Sequence, residues 1–232
     1  KLIVPFLILF MIFMAIGPKL NWIKSKVKDK IFFISFFIIS IFLSFFIIKK
    51  LSSDLLINTI LISSAFYLFF ITIKDLLLKK YNNLSQVVAH FGFSLLILSI
   101  LFNNIFSSEI ITNIKVGEKI TFENKKIYFE KIVQDKSFNY ESIIGHFKII
   151  DDKNKIIHLK PELRIYNQPL TITSEADIKT TLLADTFLVM NLVKGKEYFN
   201  IRYQIKPFMV WIWFSVLMLS TGGLLSLFKN RI

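Results

Sequence analysis

Long runs without a charged residue constrain the fold of this chain more than any other feature of its sequence. The run IFFISFFIISIFLSFFII at 31–48 holds 18 residues and no charge, glycine or proline. A transmembrane helix needs about 20 predominantly apolar residues. Hydrophobic residues make up 54% of the 232-residue chain, which is more than a soluble domain of this length usually contains. We therefore predict about five transmembrane helices, at 2–16, 31–48, 55–73, 84–106 and 208–228.

The distribution of basic residues indicates how these helices are oriented. Lys and Arg total 29 against 16 Asp and Glu, which gives a formal net charge of +13. With five spans, the basic segments 19–30 and 74–80 and the C-terminal KNRI lie on one side, which the positive-inside rule assigns to the cytoplasm or the mitochondrial matrix. Because the lysines stand in short loops beside apolar runs, no nucleic-acid partner is expected. The lack of cysteine excludes disulfides and thiol chemistry by this chain.

The stretch 107–206 differs from the rest of the chain because it is rich in short β-forming segments. Turn signals separate these segments, as in DDKN at 151–154 and KGKE at 194–197. The strands that this pattern predicts lie at 126–133, 143–150, 155–160, 186–193 and 198–205. The predicted fold is a polytopic α-helical membrane protein with an inserted all-β extracytoplasmic domain. Its predicted domains are a four-helix transmembrane region at 1–106, the β domain at 107–206 and a C-terminal transmembrane helix at 207–232.

His90 is the main candidate for a functional residue, because it lies about six residues inside the fourth predicted span. An ionisable side chain at such a depth is often functional. Gln86, His90 and Ser94 recur at intervals of four and form one polar stripe on an apolar helix, which we expect to face inward. Ala89 and Gly92 place small residues beside the stripe, so a flat ligand or another helix could approach closely. The residues leave three roles open: a structural histidine, a metal or haem ligand, or a proton relay.

The remaining polar residues predict no second site and no catalytic residue. His146 and His158 lie in strand-like segments, where a histidine usually serves packing or the surface. If His90 binds haem with two axial histidines, the second must come from another polypeptide or another segment. A transporter is disfavoured because no other predicted span carries an ionisable residue in its interior. Gly222 and Gly223 predict close helix packing in the last span. The acidic residues of the β domain show no spacing for a metal or an acid–base pair: Glu162, Glu175, Asp177 and Asp185.

Three blocks of this sequence resemble a known family. They are QVVAHFGFSLLILSI at 86–100, LRIYNQPLTITSEADI at 163–178 and KPFMVWIWFSVLMLSTGGLLSL at 206–227, and VPFLILFMIFMAIGPKLNW at 4–22 adds a weaker match. In order and spacing they resemble the C-terminal part of CcmF, the haem lyase subunit of cytochrome c maturation, in the CcmF/CycK/NrfE-like family. We therefore expect the chain to be the C-terminal portion of a longer or naturally split protein.

The resemblance implies a function and a cofactor. Proteins of this family hold a b-type haem between two histidines of transmembrane helices, and His90 matches one of them, as an axial ligand of the haem iron. That haem is thought to relay electrons, while the lyase joins haem to the thiols of apocytochrome c. Glu162, Arg164, Tyr166 and Glu175 match recurrent positions of the outer domain, for which a structural role is expected. The chain would then be part of a haem lyase that is incomplete alone.

The resemblance also implies partners and a location. The expected partners are an N-terminal CcmF segment with the WWD motif, a haem chaperone, an apocytochrome c carrier, apocytochrome c itself and the lipid bilayer. The expected location is the bacterial or mitochondrial inner membrane, with the β domain on the periplasmic or intermembrane side. The alternative is a non-catalytic membrane scaffold, whose β domain docks partners and whose His90 only holds helices together.

Overall fold

Over the residues that it describes, the computed structural model of this protein contains five α-helices and ten β-strands. It describes residues 3–19, 30–49, 55–78, 83–152, 154–193, 195 and 197–229. The chain divides into two compact units. The helical unit consists of Lys1–Ile105 with Trp211–Ile232, and the β unit of Phe106–Val210.

Four of the five helices are long and apolar enough to cross a membrane. The helices are α1 (Val4–Ile16), α2 (Lys30–Lys49), α3 (Leu55–Leu77), α4 (Leu84–Phe106) and α5 (Met209–Lys229). The spans predicted at α2, α3, α4 and α5 are confirmed by the length and apolar composition of these helices. The described part of α1 has only 13 residues and is about 20 Å long. It ends in a short 3₁₀ turn at Gly17–Lys19, where Pro18 cannot continue the helix.

Apolar side chains of several helices form the core of the helical unit. Met11 of α1, Leu68 of α3 and Leu98 of α4 belong to one buried cluster. Phenylalanine rings also contribute to the packing of α4 on α3: Phe91 stacks on Phe69 of α3, with ring centroids 5.5 Å apart. Such contacts hold membrane helices together by van der Waals packing, since lipid offers no hydrophobic driving force between them.

The β unit is a sandwich of two antiparallel sheets. Its strands are β1 (Ser108–Ile114), β2 (Lys119–Phe122), β3 (Lys125–Lys136), β4 (Tyr140–Asp151), β5 (Ile156–Leu159), β6 (Glu162–Asn167), β7 (Leu170–Glu175), β8 (Asp177–Thr180), β9 (Ala184–Leu192) and β10 (Phe199–Pro207). One sheet has the order β1-β10-β9-β8, and the other has β2-β3-β4-β6-β7 with β5 paired to β4. The five predicted strands correspond to β3, β4, β5, β9 and β10. Parts of both predicted turns, residues 153, 194 and 196, lie outside the described residues.

Alternate residues of both sheets point inward and fill the sandwich core. Phe129 and Phe147 stack face to face with centroids 4.2 Å apart. The Tyr203 side chain is fully buried, and burial raises its pKa to about 12. The ammonium of Lys125 lies 3.5 Å from the Tyr203 hydroxyl oxygen, to which it donates a hydrogen bond, and burial lowers the pKa of Lys125. This pair lets the core keep a polar group without leaving it unsatisfied.

Candidate functional site around His90

The helix α4 places His90 near one end of a membrane span. It begins and ends as predicted, at Leu84 and Phe106, so His90 lies six residues, or about 9 Å, from its first residue. The helix starts after Asn83, whose carbonyl accepts a hydrogen bond from the Val87 amide at 3.3 Å. The side chain of Asn83 accepts a second bond from Ser85 Oγ at 2.7 Å. The first bond begins the helix, and the second joins Asn83 to the first turn of the helix that carries His90.

The imidazole of His90 is half-buried and faces α1. It forms a hydrogen bond with the backbone of Met14, whose carbonyl is the acceptor. One turn further along the same face, Phe93 packs edge-to-face on Phe10 of α1, with ring centroids 5.7 Å apart. An imidazole has two nitrogens, so the bond to Met14 orients the ring and leaves the other nitrogen as a potential ligand atom.

The small residues beside His90 pack against another helix. A methyl group on Gly92 would lie 2.9 Å from the backbone nitrogen of Leu219 in α5. A methyl group on Gly222 would lie 2.7 Å from the backbone nitrogen of Ala89. The sequence left a flat ligand and a helix as alternatives for this surface. The structure shows a helix there, because α5 fills the space beside Ala89 and Gly92.

The polar stripe on α4 runs from the surface into the core. Gln86 is exposed and His90 is half-buried. Ser94 is fully buried, and its hydroxyl donates a 2.9 Å hydrogen bond to the carbonyl of Phe91. The expectation of an inward-facing stripe therefore holds for Ser94, holds in part for His90 and is wrong for Gln86. The stripe lies near the helix end, where its first member can reach the surface.

A buried carboxylate of the helical unit, Asp75, was not among the candidates that the sequence indicated. The helix α3 continues four residues beyond the predicted end of its span, because helical backbone bonding does not require apolar side chains. It takes in Lys74 and Asp75, and the Asp75 side chain is only 7% exposed. Lys74 lies 4.2 Å from the centre of the Phe32 ring. The signal was present in the sequence, as a carboxylate two residues after an apolar run.

The two other histidines lie in the β unit. His146 of β4 and His158 of β5 belong to neighbouring paired strands. Burial lowers the pKa of His146, and the nearby Lys160 and Lys131 lower it further. Within the described ranges, no group of three or more His, Cys, Asp and Glu side chains is arranged to hold a metal ion. These observations fit the predicted packing or surface role of His146 and His158.

Three of the four outer-domain residues singled out by the sequence lie together on β6. The Arg164 Nε lies 3.0 Å from Glu162 Oε2, and this hydrogen bond is the main cause that raises the pKa of Arg164. Its guanidinium lies 5.0 Å from the centre of the Tyr140 ring, which in turn packs against Tyr166 at 5.3 Å. The fourth residue, Glu175, lies opposite Glu162 in the β6–β7 pairing. The arrangement joins β4, β6 and β7, as a structural role requires.

Fold and site together define a multi-pass membrane protein in which a β-sandwich connects two membrane helices. Comparison with known proteins narrows the class. A family model described as CcmF C-terminal beta-sandwich matches residues 105–207. The cytochrome c-type biogenesis protein CcmF of Escherichia coli K12 is 25% identical over 239 residues, which cover 99% of this chain and 36% of that protein. The resemblance to the C-terminal part of CcmF is thereby confirmed.

Two further comparisons agree with this match. The CcmF protein of Haemophilus influenzae is 26% identical over 163 residues, covering 70% of this chain and 25% of that protein. A solved structure named Cytochrome c Heme Lyase CcmF has the same fold, with a TM-score of 0.73 at 15% identity, over 97% of this chain and 39% of that one. The chain thus spans between 25% and 39% of the length of these relatives.

Proposed function

We propose that this chain is a haem-binding part of a haem lyase that assists the covalent attachment of haem to apocytochrome c. In this proposal His90 is one axial ligand of a b-type haem in the membrane. The observation that carries it is the half-buried imidazole of His90, held by the backbone of Met14 within a membrane span. The similarity to proteins named for cytochrome c-type biogenesis also supports a role in this process.

The donor set fits one half of a haem site. A histidine that binds a metal almost always gives its other ring N–H to a carbonyl or carboxylate, which fixes the ring and raises its basicity. The Met14 carbonyl is such an acceptor. Both other histidines of the chain lie in the β unit. We therefore propose that the second axial ligand comes from another segment or polypeptide. A bound haem would supply one-electron chemistry.

The proposal assigns limited tasks to the residues of this chain. His90 binds iron, the Met14 carbonyl orients the imidazole, and the packing of α5 on Ala89 and Gly92 holds α4 in position. No nucleophile is needed from this chain, since the thiols belong to the apocytochrome. The β-sandwich is proposed to face the periplasm or the intermembrane space, and the basic loops to face the opposite side of the inner membrane.

The proposed partners follow from the incomplete donor set. One is a CcmF-type N-terminal segment with the WWD motif, which would bring the second histidine. The others are the haem chaperone, the apocytochrome c carrier and apocytochrome c. The lipid bilayer surrounds the helical unit, whose α2 exposes large apolar side chains such as Phe46, which is 71% exposed.

A spectrum of the assembled protein tests the proposal. The protein is purified from its native membrane in mild detergent, together with the polypeptides that assemble with it. We expect the absorption bands of a b-type haem, and we expect His90→Ala and His90→Gln to lose them. The variant His158→Gln serves as the control and should keep them. A haem content per protein that is the same in all four samples would remove His90 from the site.

One observation favours a second candidate function, a membrane scaffold. The bond between His90 and the backbone of Met14 joins two helices, as a purely structural histidine would do. In that case the His90→Gln variant should still support the maturation of cytochrome c, because the glutamine amide can also donate a hydrogen bond to the Met14 carbonyl. His90→Ala should then lower only the stability of the helical unit, by about 1 kcal/mol.

A further inference from the structure

We infer that the β8–β9 turn of the sandwich is a membrane anchor, with Leu182 and Leu183 inserted into the lipid interface beside the last span. The turn covers residues 181–184. Both leucine side chains are 72% exposed in the protein. This inference does not depend on haem binding by His90.

The turn is built to hold its two leucines at the tip. The Thr181 hydroxyl donates a 2.7 Å hydrogen bond to the carbonyl of Ala184. In return, the Ala184 amide donates to the same hydroxyl at 3.1 Å, and the Thr181 amide donates to the Ala184 carbonyl at 3.1 Å. Three bonds between the first and last residues close the turn. The leucines therefore stay presented outward and cannot fold back into the core.

The tip lies beside the point at which the chain begins its last span. The Leu183 carbonyl accepts a 2.9 Å hydrogen bond from the backbone amide of Phe208. The next residue, Met209, begins α5. In the paired strands, Ala184 stands opposite Pro207. This hydrogen bond and the pairing of β9 with β10 thus keep Leu183 close to the first residue of a membrane helix.

Residues near the turn in the chain, and near its partner Phe208 in the chain, match the chemistry of a lipid interface. Trp211 and Trp213 follow in the first two turns of α5, and tryptophan favours the boundary between headgroups and hydrocarbon. Lys179, two residues before the turn, is exposed, and Lys206 lies next to Pro207 at the end of β10. Basic side chains at this level attract anionic headgroups. Exposed leucines flanked by lysines, next to a span, form an apolar tip that suits partial insertion into lipid.

Depth-dependent quenching tests the anchor. The chain has no cysteine, so Leu183→Cys creates a single labelling site for an environment-sensitive fluorophore. The labelled full-length protein is placed in nanodiscs of phosphatidylcholine and phosphatidylglycerol that carry spin-labelled lipids. The control is Leu192→Cys, an exposed leucine at the far end of β9, about 26 Å from Ala184. We expect blue-shifted emission and severalfold stronger quenching at position 183 than at position 192.

Two further measurements keep the test decisive. Leu182→Cys repeats the quenching measurement at the neighbouring position, so that the anchor can still be tested if one variant misfolds. Equal, weak quenching at 182, 183 and 192 in a folded protein would overturn the inference. So would a label that is shielded in native membranes but remains water-exposed in nanodiscs of the purified protein, since that result would assign the tip to a protein partner.

Discussion

Replacing Gly222 with alanine should push α5 away from α4. The added methyl group would lie 2.7 Å from the backbone nitrogen of Ala89 and 2.9 Å from its Cα and Cβ atoms. Carbon atoms in contact prefer separations of about 3.5–4.0 Å, so the helices would have to part by roughly 0.6–1 Å. Backbone atoms cannot turn aside as the end of a flexible side chain can. The clash is therefore relieved only by moving a helix.

The size of the effect follows from two opposing contributions. Alanine favours a helix over glycine by about 1 kcal/mol, which stabilises the variant. Overpacking a tight contact typically costs about 1–3 kcal/mol. A substitution at the neighbouring Gly223 distinguishes the two contributions, because a methyl group there meets nothing within 4 Å and so causes no overpacking. Gly223→Ala receives only the helix contribution, so Gly222→Ala should be less stable than Gly223→Ala by about 1–3 kcal/mol.

Titration with sodium dodecyl sulfate measures this difference. The loss of contact between α5 and the bundle can be followed by the fluorescence of Trp211 and Trp213, both in the first two turns of α5. The two variants should unfold at clearly different detergent fractions, with the parent protein between them. Equal midpoints for Gly222→Ala and Gly223→Ala would refute the close packing of α5 on Ala89.

Three predictions concern the β-sandwich. Phe129→Ala should lower the free energy of unfolding by about 3–5 kcal/mol in a urea titration, because it removes the ring stacked on Phe147 in the core. Since the pKa of Tyr203 is raised to about 12 from 10.0, its stabilising contribution is complete below pH 10 and is lost as the pH rises towards 12. In an ultraviolet titration, Tyr203→Phe should reduce the late phase of the absorbance change by the amount of one tyrosine. Gly145→Ala places a methyl group 2.8 Å from Met190 Sδ, so a double-mutant cycle with Met190→Ala should show a coupling of about 1 kcal/mol, and additive effects would contradict it.

The helices could be predicted from the sequence because lipid imposes a simple rule of length and polarity. The bounds of α4 follow from this rule without correction. The rule fails where helix and span differ, as in α3. This helix continues four residues beyond the predicted span and so takes in Asp75. The rule describes only the membrane, whereas backbone hydrogen bonding decides where a helix ends.

The missed strands show the limit of local patterns in the β unit. The segments β2 and β8 have four residues each: β2 alternates polar and apolar side chains over a very short length, and β8 has a single apolar residue, so neither can be distinguished from a loop. Their pairing partners decide their structure: Asp177 to Thr180 become a strand because they lie against β9. Such long-range pairing is invisible in the segment itself.

The site was predicted only in part, for a similar reason. An ionisable residue in an apolar run identifies His90 without further help. The acceptor of its hydrogen bond, however, is a backbone carbonyl on α1, and every residue of α1 carries one. Likewise, the glycine pair of α5 indicates close packing, yet only the structure shows that Gly222 makes the contact and Gly223 does not.

The surroundings of His90 restrict how any ligand or partner could reach its second nitrogen. One side of α4 is closed by α5 at Ala89 and Gly92, and another is closed by α1 at Met14. Between residues 85 and 99, Gln86 is the single exposed residue of α4, and it lies one turn from His90 on the same stripe. Among the described residues of α4, the side of the stripe that carries Gln86 is therefore the most exposed one. If a second axial ligand comes from another polypeptide, as proposed above, we expect it to approach His90 from this end of the helix.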